Sequence, residues 1–72
     1  MIYYIYKSYT KNNDLIIRYT AKPDVIDELN EEEIILNTIE TDKIAHVQYY
    51  VKYYCNLYNC INNKNYKQLL IY

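Results

Sequence analysis

Two cysteines, Cys55 and Cys60, and a single histidine, His46, are the residues of this 72-residue chain whose types could hold a metal or carry redox chemistry. Their spacing argues against both. The cysteines lie five apart in a stretch that reads as helix, where such side chains project about 140° from one another. A disulfide needs α-carbons within roughly 7 Å, so an unbroken helix cannot be bridged there. His46 is more than two helical turns from Cys55, and no C-x-x-C pair exists to complete a zinc-type ligand set. The expectation is no metal, no cofactor and two free thiols, as suits a reducing cytosol.

Other catalytic constellations fare no better. The chain has no glycine, which excludes the phosphate-cradling loop, the dinucleotide fingerprint and the nucleophile elbow, all of which depend on it. Carboxylates are plentiful: Asp24, Asp27, Glu28, Glu31, Glu32, Glu33, Glu40 and Asp42 follow one another with no basic residue among them. Some pairs within this run lie in reach of each other for acid–base work, but such a run ordinarily makes a solvated face. The opening Ile2, Tyr3, Tyr4, Ile5, Tyr6 resembles the start of the GIY-YIG nucleases over the first hairpin alone. That motif's glycines have no counterpart here, and the long helix carries neither arginine nor glutamate, so the family is not assigned. The chain reads as a non-enzyme.

Periodicity shows which elements must position these residues. With Thr41 or Asp42 as N-cap, apolar residues recur at Ile44, Val47, Val51, Tyr54, Tyr58 and Ile61, a three-and-four spacing that predicts a long helix over about 42–62. Its opposite face collects Gln48, Lys52, Asn56, Asn59 and Asn63. Between the two faces fall His46, Tyr49, Tyr53 and Cys60. They widen the apolar or aromatic surface beyond the stripe of a little over 100° that one sheet covers, so this arc is the expected surface for self-association or for a partner. Aromatic and branched residues also allow a strand over Tyr49 to Tyr54, but the helical spacing continues through all five turns.

The remaining elements are shorter. Ile2 to Thr10 and Leu15 to Thr20 alternate as two strands of a hairpin. A turn centred on Asn12 and Asn13, the best available substitutes for glycine, sets Tyr6 opposite Tyr19 and Ser8 opposite Ile17. That register gives a core face of Ile2, Tyr4, Tyr6, Leu15, Ile17 and Tyr19, and sets Lys7 against Arg18 on the outer face. Pro23 and Asp24 mark a helix start and predict a short helix from Asp24 to about Asn30, Ile34 to Ile39 a strand of mixed periodicity, and Tyr66 to Tyr72 a closing strand after a helix stop at Asn62–Asn65. The expected fold is a single α+β domain over 1–72. Its small antiparallel or mixed sheet, the N-terminal hairpin plus one or two further strands, packs against the one long C-terminal helix.

Composition bounds the function. Tyr, Asn, Ile and Lys supply over half of the residues, and all four have AT-rich codons, which fits a phage, virus or mobile element as well as it fits an AT-rich bacterium or protist. Nine acidic and four basic side chains up to Asp42 give −5, while the four lysines beyond it give +4. No apolar run is long enough to cross a membrane, no signal peptide opens the chain, and a cytoplasmic location is expected. The main expectation is a small protein-binding inhibitor, viral or phage-encoded and similar in kind to anti-CRISPR proteins. Its acidic patch would imitate a phosphate backbone against a host nucleic-acid-binding complex, and tyrosines would anchor the contact. The alternative is single-stranded nucleic-acid binding by the Tyr- and Lys-rich C-terminal half, with Tyr49, Tyr53 and Tyr66 stacking beside Lys52, Lys64 and Lys67.

Overall fold

The computed structural model describes residues 1–58 and Cys60. They form β1 (Ile2–Tyr9), β2 (Leu15–Thr20), α1 (Pro23–Asp27), β3 (Ile34–Glu40) and α2 (Ile44–Leu57). The three strands make one antiparallel sheet in the order β2-β1-β3, with α2 on one face, and the fold is α+β as expected. The predicted strand at Tyr66–Tyr72 and the residues of the predicted helix stop lie outside the described residues.

The hairpin register differs from the expected one by a single residue, and the turn explains why. The amide of Thr10 donates to the Asp14 carbonyl at 2.9 Å and that of Asn13 to the Thr10 carbonyl at 2.9 Å. Lys11, Asn12 and Asn13 therefore form a three-residue loop in which Asn13 alone is left-handed, with φ 66°. A two-residue type I′ turn would need two such residues; a tight turn followed by one left-handed residue needs only one. The Thr10 hydroxyl closes the loop by accepting from the amides of Asn12 and Asp14. Asn13→Ala should cost about 1 kcal/mol, because alanine lacks asparagine's tolerance of that conformation. Asn13→Gly should be nearly neutral. Urea midpoints with unchanged slopes would measure both.

Slipping the register by one residue moves every side chain of one strand to the other face. Ile5 now pairs with Tyr19, Lys7 with Ile17, and Tyr6 with Arg18. The core under α2 is thus built from Ile5, Ile17, Tyr19, Val47, Val51, Cys55 and Cys60, with Tyr3, Leu15, Leu36, Ile39 and Tyr54 around them. Tyr6, assigned above to that face, is buried on the opposite one together with Ser8, Ile16 and Thr20. Lys7 and Arg18, expected to repel one another side by side, point to opposite faces. Along the other edge of β1, Ile5 pairs with Asn37 but Tyr6 with Ile35. Leu36 is therefore an extra residue in β3, and this bulge is what breaks the alternation there.

Helix α2 is shorter than predicted at both ends. Its N-cap is Lys43, with no side-chain cap, and Thr41, just past β3, is tied by its amide's 2.9 Å bond to the Met1 carbonyl. The Thr41 hydroxyl instead accepts from the Lys43 amide at 3.1 Å and meets His46 Nδ1 at 3.1 Å. Its buried stripe is Val47, Val51 and Cys55. Ile44 and Tyr58, predicted to lie in it, are exposed. Helix α1 starts at Pro23, one residue before the expected Asp24, and ends at Asp27, three residues early.

Candidate functional site

The exposed tyrosines among the described residues all lie on α2 or at its C-cap. Tyr49 is 66% exposed, Tyr53 50% and Leu57 60%, and Tyr50 and Tyr58 are exposed as well. Tyr49 meets Tyr50, and Tyr53 meets Tyr54, edge to face at centroid separations of 5.4 and 5.2 Å, geometries that aromatic pairs favour. Tyr49, Lys52, Tyr53 and Asn56 line an open recess on the outer side of α2. Of the predicted arc, His46, Tyr49 and Tyr53 lie at the surface. Cys60 does not: it is buried in the core, because the chain turns back after Leu57.

The acidic run divides into three parts. Asp24 and Asp27 stand on α1, and Glu28, Glu31 and Glu32 on the connection to β3, all exposed. Glu40 and Asp42 are also exposed, but the length of β3 separates them from Glu31 and Glu32 by about 20 Å. Asp42 lies 3.5 Å from the N-terminal ammonium. Glu33 is different, being partly buried and internally bonded. Its amide donates to the Asn30 side chain at 3.1 Å, its carboxylate accepts from the Asn30 amide at 3.2 Å, and its other oxygen accepts from the Ser8 hydroxyl. That reciprocal pattern resembles a capping box. It pins the acidic connection over the sheet face opposite α2, and so takes Glu33 out of the surface patch.

Beneath that connection sits a polar cluster of Tyr6, Ser8, Arg18 and Glu33. Burial pushes the Tyr6 hydroxyl's pKa up, the Arg18 charge lowers it, and Glu33 raises it. Arg18 Nε is buried without a hydrogen-bond partner. The predicted like-charge clash at Arg18 is thus resolved by the register, and by a carboxylate close enough to act on the same tyrosine. Sequence reasoning missed this cluster, since the expected register placed Tyr6 and Arg18 on opposite faces. The Asn30-x-x-Glu33 spacing was the one available signal that Glu33 turns inward.

Lys7 Nζ lies 6.0 Å from the centroid of the Tyr58 ring, and that ring stacks on Tyr54 at 6.5 Å. Among the described residues no three His, Cys, Asp or Glu side chains come together to hold a metal ion, and no helix is long and apolar enough to cross a membrane. No family model, curated protein or solved structure matches this chain.

Proposed function

We propose that this chain is a non-enzymatic protein-binding module that docks through the outer side of α2 and is steered by its acidic segment. The reading extends to a small phage- or virus-encoded inhibitor of a host nucleic-acid-binding complex. The observation that carries it is the row of exposed Tyr49, Tyr53 and Leu57 on a helix whose other side already fills the core. Tyrosine presents a large, stiff contact area with a polar tip and is enriched where binding energy concentrates. The exposed carboxylates Asp24, Asp27, Glu28, Glu31 and Glu32 form no ion pair among the described residues. Their field is available to a basic partner.

The test is recovery of a partner from host extract with and without nuclease, followed by kinetics on the purified pair. The same protein should be recovered in both arms. Tyr49→Ala with Tyr53→Ala should weaken affinity about 100-fold, while Glu31→Lys with Glu32→Lys should slow association about tenfold, an effect that added salt removes. Glu33 is left unchanged because it holds the fold.

The recess that sets Lys52 between Tyr49 and Tyr53 favours a second reading, the binding of single-stranded nucleic acid by ring stacking and phosphate contact. Its outcomes are opposite: recovery lost after nuclease, binding weakened by Lys52→Ala, and binding strengthened by the two acidic reversals. A symmetric dimer through the same tyrosines would instead appear in sedimentation as a mass that rises with concentration.

A further inference from the structure

Cys55 and Cys60 would be held apart in a continuous helix, but α2 ends between them. With Tyr58 as C-cap, the Cys60 amide donates to the Cys55 carbonyl at 2.8 Å. This is the six-to-one bond of a Schellman ending, which joins the third residue from the helix end to the second beyond the cap. It folds Cys60 back over the last turn, so that both cysteines enter the same core cluster. Neither cysteine is in a disulfide, and both, 0% and 7% exposed, lie in the cluster that includes Ile17 and Val51. The contact that usually seals such an ending is apolar; here the residues at its two places are both cysteines.

We propose that Cys55 and Cys60 are a dithiol that closes reversibly into an intramolecular disulfide by exchange with a low-molecular-weight disulfide. Cys60, the more exposed of the two, gives its proton to solvent and attacks one sulfur of the external disulfide. That S–S bond breaks, and the first external thiolate leaves and takes up a proton. Cys55 then loses its proton and attacks the Cys60 sulfur of the mixed disulfide, expelling the second external thiolate, which is protonated in turn. Two cysteine thiols are oxidised and one external disulfide is reduced to two thiols. The 2.8 Å backbone bond from Cys60 to Cys55 keeps their α-carbons within the roughly 7 Å that a disulfide spans, and closure brings the sulfurs to about 2.05 Å with a dihedral near 90°. Closure fixes the turn that bears Tyr54 and Tyr58.

The test uses the reduced full chain and glutathione disulfide as the oxidant, with intact mass and non-reducing electrophoresis as readouts. The expected product is a monomer that has lost two hydrogens and carries no adduct. In native buffer the effective concentration of one thiol toward the other should exceed that in urea by about tenfold or more, because the helix ending pre-positions the pair. Cys60→Ser should never yield a monomer lacking two hydrogens. A persistent mixed disulfide, a disulfide-linked dimer, thiols that react only after unfolding, or equal effective concentrations in buffer and urea would each overturn the proposal.

Discussion

Val51→Asp is expected to unfold this protein, with helical circular dichroism lost in plain buffer. Val51 is fully buried between Val47 and Cys55 and packs in the cluster with Ile5 and Ile17. A carboxylate there has no basic partner, and an unpaired buried charge costs several kcal/mol. A chain of this length draws only about 3–5 kcal/mol from its core. The cost therefore equals or exceeds the whole stability. Val51→Ala removes two methyl groups from the same place and should cost about 2 kcal/mol, leaving a folded but weaker protein. Tyr53→Asp, on the outer side of the same helix, should stay within about 0.5 kcal/mol of the parent. A folded Val51→Asp variant would show that α2 does not sit on the sheet.

Alkali is expected to unfold the protein as well, with most of the loss between about pH 9 and pH 11. Burial, followed by the charge and hydrogen bond of Cys60, pushes the Cys55 thiol from 9.0 up to about 11. Burial also raises the Cys60 thiol, and the Tyr6 and Tyr19 hydroxyls from 10.0, Tyr19 with a further contribution from Tyr3. In each case the native state holds its proton more tightly than the unfolded chain. The stabilisation is thus fully present below the unfolded pKa values and is lost as pH rises through the folded ones. Each such group can contribute a slope of up to about 1.4 kcal/mol per pH unit. Circular dichroism against pH should show a cooperative loss, with the tyrosinate absorbance of Tyr6 and Tyr19 rising in the same transition. Cys55→Ala removes the most strongly shifted group and should flatten the curve near pH 9 to 10. Stability that stayed constant to pH 11 would show that these groups are open to water.

Apart from Tyr6, the groups behind these two expectations lie on the face under α2, and the sequence alone would have assigned part of that face wrongly. The alternation over Leu15–Thr20 identified Leu15, Ile17 and Tyr19 correctly, because turn geometry does not enter into which residues of one strand share a side. Pairing that strand with its neighbour does depend on the turn. A five-residue span containing Thr10, Asn12, Asn13 and Asp14 accommodates loops of two residues or three, and the choice moves Ile5 and Tyr6 to opposite faces. The site shows the same dependence. The exposure of Tyr49 and Tyr53 was legible from helical spacing, whereas the inward turn of Glu33 depends on a hydroxyl 25 residues earlier in the chain.

The sequence by itself determined the α+β class, the positions of three strands and two helices, and the exclusion of glycine-dependent nucleotide sites. Each of these follows from local periodicity or from the absence of a residue type. Only the tertiary structure decided the hairpin register, the bulge at Leu36, the end of α2 at Leu57 and the meeting of Cys55 with Cys60. Each of those is settled by hydrogen bonds between segments, or around a chain reversal, whose competing geometries differ by about a kcal/mol each, and a difference that small is decided by packing around the whole core and not by the residues at the bond.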